Sequence, residues 1–146
     1  MTAAGGYSVQ GGCLCGGVRF ELTAPPTTAG YCHCTRCQRR TGTASAVSVF
    51  VYPAAVRWPT GERLIRCWAP PGGMQKCFCG ECGAHLFSRA PDGSRMAIRM
   101  AAFDTDPEVR PSYRQFVAYA ASWEPIPDDG LPRFAEGRPR DGLMPS

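Results

Sequence analysis

At 146 residues the chain is large enough for one domain with a real core and too short for two comfortable ones. Hydrophobic residues make up 44% and charged residues 19%, an ordinary globular balance, so the cysteines (9 of them) supplement a core rather than replace one. A formal net charge of +4 is too modest to imply a nucleic-acid partner, and no stretch approaches the roughly 18 apolar residues of a membrane helix.

Met1 to Gln10 has neither a basic start nor an apolar run, so no secretory signal is expected and a reducing cytoplasm is the expected home. In that compartment clustered cysteines act as metal ligands more often than as disulfides, and their odd number argues against full pairing. The first knot, Cys13-Leu14-Cys15, is trailed by Gly16-Gly17. Val18 to Leu22 then alternates apolar and polar, which predicts a half-buried strand stopped by Ala24-Pro25-Pro26. The second knot, Cys32-His33-Cys34-Thr35-Arg36-Cys37, runs into a short helical turn, with Thr35 as the expected cap and Gly42 as the stop.

Strands are predicted over Ala46 to Tyr52, Arg63 to Trp68, Met74 to Phe78, His85 to Ser88, Met96 to Met100 and Gln115 to Tyr119. Turn signals such as Pro59-Thr60-Gly61 and Pro91-Asp92-Gly93 separate them. The third knot, Cys77-Phe78-Cys79-Gly80-Glu81-Cys82-Gly83, falls among these strands, and Asp104 to Val109 is a candidate second helical turn. Asp128 to Ser146, rich in Pro, Gly and charge, reads as an irregular tail laid over the body. The fold class is therefore mainly β, with one or two short helical turns.

Zinc takes four ligands in a tetrahedron. Cys79-Gly80-Glu81-Cys82-Gly83 is a zinc-knuckle pattern, in which the closing glycine accepts a positive φ. Cys13 and Cys15 can complete that site, since residues two apart on an extended strand face the same side. Such a closed four-cysteine site is structural. Cys32, Cys34 and Cys37 then remain as three thiolates, the layout of a zinc that keeps one position for water or substrate. Arg36, Arg39 and Arg40 offset their charge, and a helix start offers backbone N–H groups.

A fourth ligand from His33, His85, Cys67 or Cys77 would close that site, although His33 should point away from its flanking cysteines in an extended segment. Cys67 and Cys77 read as small buried hydrophobes or strand neighbours, and His85 as a packed or supporting histidine. Trp58, Trp68 and Trp123 read as core or pocket walls. Lys76 is the one lysine among 16 basic residues, and the arginines are dispersed except at Arg36, Arg39 and Arg40.

Three segments in this order, Gly12-Cys13-Leu14-Cys15-Gly16-Gly17-Val18-Arg19-Phe20, Cys32-His33-Cys34-Thr35-Arg36-Cys37-Gln38-Arg39-Arg40-Thr41-Gly42 and Phe78-Cys79-Gly80-Glu81-Cys82-Gly83, resemble the glutathione-dependent formaldehyde-activating enzyme (GFA) family. Trp123 followed by Asp129-Gly130-Leu131-Pro132-Arg133-Phe134 is similar to that family's C-terminal end. The resemblance implies an Mss4-like, zinc-stapled β-sheet fold over residues 1–137, with an irregular tail over 138–146. It implies two Zn2+ ions, a structural one on Cys13, Cys15, Cys79 and Cys82 and a catalytic one on Cys32, Cys34 and Cys37.

The implied activity is that of a carbon–sulfur lyase adding the glutathione thiol to formaldehyde. Arg36, Arg39 and Arg40 are the expected holders of the glutathione carboxylates, by proximity in sequence. Another thiol or aldehyde would use the same ligands, and a homodimer is compatible with this reading. The competing class is a zinc-stiffened scaffold for a protein partner, with the second site closed by a protein ligand. A nucleic-acid-binding zinc ribbon fits worse, because the basic residues are scattered and lack interleaved aromatics.

Overall fold

The computed structural model describes residues 6–139. Two sheets make the body. The smaller is three-stranded and antiparallel, in the order β1 (Val9–Gly12), β2 (Arg19–Leu22), β5 (Val56–Thr60). The larger is built from β3 (Thr28–Cys32), β4 (Ala46–Val51), β6 (Ile65–Trp68), β7 (Gln75–Cys79), β8 (His85–Arg89), β9 (Met96–Arg99), β10 (Arg114–Gln115) and β11 (Arg133–Phe134). Its order is β11-β10-β3-β4-β9-β8-β7-β6, so β6 and β11 are edges. Among the described residues only the β3–β10 and β10–β11 pairings are parallel.

The core lies where the small sheet covers the large one. Phe20 and Leu22 of β2 pack with Val49, Leu86, Phe87 and Ile98, all fully or nearly fully buried. The alternation expected from Val18 to Leu22 is what makes this possible, since Phe20 and Leu22 share one face of their strand. Trp58 joins them, its ring 5.9 Å from Phe20 and 5.3 Å from Phe87. Trp58 is thus the core tryptophan expected; Trp68 and Trp123 are exposed, Trp68 on the edge strand and Trp123 in a turn.

The one α-helix among the described residues, α1, runs Thr35–Thr41 and connects β3 to β4. Its stop matches expectation: Gly42 adopts φ 72°, a left-handed position, and returns its N–H to the Gln38 carbonyl. Its cap is one residue earlier than expected. Cys34, not Thr35, is extended and accepts the Cys37 N–H on its sulfur at 3.3 Å. A cysteine therefore does at this terminus what Ser or Asp usually does.

Asp104 to Val109 forms no helix; Glu108 sits at φ 65° while Asp106 accepts both its N–H and the Arg110 guanidinium. The strand expected over Gln115 to Tyr119 ends at Gln115, because Phe116 turns to φ 57° and Val117–Tyr119 winds into a 3-10 turn. Residues 129–139 are more ordered than the irregular tail expected there. β11 extends the large sheet, and Arg138 lies 4.1 Å over the Tyr113 ring. Of the expected tail 138–146, all but 138 and 139 falls outside the described residues.

Candidate metal centres

Cys13 and Cys15 lie in the turn between β1 and β2, not on an extended strand as expected. The turn brings them together, with the Gly16 N–H donating to the Cys13 carbonyl at 3.3 Å. Cys79 ends β7 and Cys82 follows in the β7–β8 turn, where Gly83 takes the positive φ, 77°, foreseen for the knuckle. All four sulfurs lie within 4.8 Å of one another. Cys13 Sγ is 3.6 Å from Cys15 Sγ, which is 3.9 Å from Cys79 Sγ.

Backbone N–H groups of Val18, Gly17 and Glu81 point at the sulfurs of Cys13, Cys15 and Cys79 at 3.3, 3.4 and 3.3 Å. At Cys13 burial pushes the thiol up, but the Val18 amide, with hydrogen bonds from Cys15 and Cys79, holds it below its ordinary range. The Ala84 and Cys15 amides bring Cys82 down to about 6. The Gly17 amide is the largest influence on Cys15 and lowers it, but hydrogen bonds with Cys13, Cys82 and Cys79 together with burial leave it raised at about 11. Four adjacent thiolates repel unless a cation sits among them, so the donor set fits a soft divalent ion such as zinc.

Cys32 closes β3, Cys34 caps α1 and Cys37 stands in its first turn; their sulfurs also lie within 4.8 Å of one another. Hydrogen bonds from the Cys32 and Cys37 thiols, joined by the Cys37 and Arg36 amides, hold Cys34 far below the ordinary thiol range. Cys32, on the giving side of that contact, is pushed far up. A set in which one thiol ionises at its neighbours' expense also fits a cation that would neutralise all three. No other His, Cys, Asp or Glu among the described residues joins these three at that separation.

None of the four residues weighed as closing ligands joins the three cysteines. His33 is buried and faces away, as alternation predicted; its Nε2 lies 3.1 Å from Arg114 Nη1. His85 belongs to neither cluster, and burial, reinforced by Arg40 and Arg99, lowers its pKa to about 4. Cys67 and Cys77 are directly opposed on β6 and β7 and form a disulfide with each other. They are strand neighbours as expected, and Cys77 is buried, but Cys67 is exposed.

A cavity of about 410 Å3 opens on the three-cysteine cluster, walled by Met74, Gln115, Phe116 and Tyr119. Arg36 and Lys76 line this cavity and also a neighbouring one of about 340 Å3, which takes in Arg39, Arg40, Trp68 and Pro70. The structure thus gathers all three expected arginines into one cleft beside Cys34. A larger cavity, about 610 Å3, lies elsewhere, beside Cys13, His85 and Phe103, and contains none of the three cysteines.

Sequence reading misses Lys76 and Arg99. Lys76 projects from β7 on the face opposite Cys77 and Cys79, a placement strand alternation alone would give once β7 is known to flank α1. Arg99, on β9, feels the charge of the sulfurs: burial lowers its pKa while Cys37, Cys32 and Cys34 raise it, and its Nη1 donates to Ser48 Oγ at 3.1 Å. Nothing in the local sequence marks it, because its place near the cluster depends on the β4–β9 pairing.

A β-sheet protein with one four-cysteine and one three-cysteine cluster, both compatible with a bound zinc, is the class that this fold and these clusters define. The family described as glutathione-dependent formaldehyde-activating enzyme matches residues 8–119, and the chain belongs to that family. Among solved structures, a Rhodobacter sphaeroides protein determined as a structural-genomics target superposes with a TM-score of 0.55 at 18% identity, covering 86% of this chain and 98% of that one. That likeness concerns the fold alone. No curated protein matches the sequence. Among the described residues no helix is long and apolar enough to cross a membrane.

Proposed function

We propose that this protein is a carbon–sulfur lyase that adds a small thiol, glutathione or a close analogue, to formaldehyde or another aldehyde at a zinc held by Cys32, Cys34 and Cys37. The contrast between the clusters carries the reading: four sulfurs complete one, while the other has three and faces a cavity. Cys32, Cys34 and Cys37 would hold such an ion by three ligands and leave room for an incoming thiol. Zinc so bound supplies Lewis acidity and lowers the pKa of the thiol it meets. Cys13, Cys15, Cys79 and Cys82 would hold a second, structural ion.

The chain's own residues do the rest. Cys37 N–H and the start of α1 stabilise negative charge at Cys34. Arg36, Arg39 and Arg40 bind the carboxylates of the thiol's tail through paired hydrogen bonds. Gln115 takes the Arg138 N–H on its Oε1 at 2.8 Å, so its NH2 group is the end left to donate to the aldehyde oxygen. In the reaction the S–H proton is released, sulfur bonds to the carbonyl carbon and the oxygen takes up a proton; no oxidant enters. A protein-binding scaffold would need the fourth position filled by a side chain, and none of the described residues supplies one.

The test is the rate of S-hydroxymethylglutathione formation, followed by NMR exchange, together with metal content. Two zinc ions per chain and an accelerated rate are expected. Cys34→Ser should keep one zinc and lose the acceleration. An unchanged rate in that variant would remove the proposal.

A further inference from the structure

Four cations converge on the cleft next to the three-cysteine cluster: Arg36, Arg39 and Arg40 from α1 and Lys76 from β7. The ion pairs among the described residues, Arg19–Asp104, Arg110–Asp106 and Arg114–Asp129, leave all four without a carboxylate. No Asp or Glu lines either cavity. Arg40 carries this furthest: its Nε and Nη2 are buried with no hydrogen-bond partner, and its guanidinium lies 5.9 Å from the Phe78 ring centre. Buried donors without a partner call for a group that accepts from them, and an anionic ligand in the cleft would supply it.

Tyr119 of the cavity wall turns its hydroxyl to Glu136 at 3.0 Å, which engages that carboxylate away from the cations. Opposite the cations the wall is apolar, formed by Trp68 and Pro70. Lys76 and Arg36 line both cavities, so they stand where a thiol reaching the cysteines must pass its tail. Like charges held this close repel until an anion lies among them, and an ammonium brought to the same place is repelled.

We infer that the substrate is a thiol whose tail carries two or more anionic groups and no ammonium, lying against Trp68 with Lys76 as the residue that selects it. This rests on the thiol reading above. Glutathione satisfies it only in part: its two carboxylates fit, but its ammonium finds no acidic partner in the cleft.

Binding to the zinc-loaded protein, measured calorimetrically at low and high salt, tests this. Mercaptosuccinate should bind about tenfold or more tightly than uncharged 2-mercaptoethanol, as expected of charge-assisted contacts, and cysteamine more weakly than either. N-acetylglutathione, which lacks the ammonium, should bind more tightly than glutathione. Lys76→Gln should abolish the advantage of mercaptosuccinate over 2-mercaptoethanol; Lys76→Met repeats the test should that variant misfold. Equal binding by all of these thiols, or an equal loss for charged and neutral thiols in the variants, overturns the inference while the thiol reading stands. No binding by any thiol removes the thiol reading itself.

Discussion

His33 stands between two cysteines of the open cluster and contributes to it by what it holds on its other side. Its ring contacts Arg114, its carbonyl accepts Gln38 Nε2 at 2.7 Å, and its N–H donates to the Gln115 carbonyl at 3.0 Å. Arg114 is buried, stacks 4.0 Å over Tyr31 and directs Nε and Nη2 to one Asp129 oxygen at 3.1 and 2.9 Å. The segment carrying Cys32 and Cys34 is thus pinned by a cation that answers to the chain's C-terminal part. Arg114→Lys keeps the charge but loses the planar stack and the double donation. It should destabilise the protein by about 2 kcal/mol, a charge-assisted hydrogen bond lost in a buried place. Thermal unfolding checks this, and wild-type stability in the lysine variant would show that charge alone is what Asp129 and His33 require.

At the scale of elements, the weakest join in the large sheet is its edge. Among the described residues β6 pairs only with β7, and the Cys67–Cys77 disulfide closes a loop with a sequence separation of 10 between them. In the chain-entropy account a loop of that length is worth about 2–3 kcal/mol. Cys67→Ala should lower stability by that amount in urea unfolding. Reductant should bring the wild type down to the same midpoint and leave the variant unmoved; a wild type indifferent to reductant would mean that the bond contributes nothing.

Sequence reading leaves these two cysteines unpaired, because opposition across β6 and β7 is a matter of register, which spacing does not reveal. It locates β2, β4, β6, β7, β8 and β9 by their alternation and turn residues. It passes over β1, β3 and β5, where glycine or proline masks the signal. Gly30 of β3 is there because the Tyr113 ring lies where a Cβ would be, 2.2 Å from its place. The two cysteine sets are legible because metal-ligand spacing is local; Lys76 and Arg99 beside them are not, because sheet pairing brings them in.

Across the whole molecule the two clusters tie together very different lengths of chain. Cys15 meets Cys79 across a sequence separation of 64, joining the small sheet's turn to the large sheet's β7–β8 end, whereas Cys34 meets Cys37 across 3. A cross-link lowers the entropy of the unfolded chain more the longer the loop it closes, so an ion in the four-cysteine set contributes far more to folding than one in the three-cysteine set. The second set is also supported without an ion, by the α1 cap and by the Arg114 contacts to its own strand. Chelation of the zinc-loaded protein should therefore proceed in two steps. The first zinc should leave with the near-UV circular dichroism intact, and the second should leave together with the tertiary signal. Cys34→Ser should remove the first step only, while Cys79→Ser should yield a chain unfolded at temperatures the wild type survives. Loss of both ions in one step, with unfolding, would mean that the open site is as much a staple as the closed one, and the division into a structural and a reactive centre would have to be abandoned.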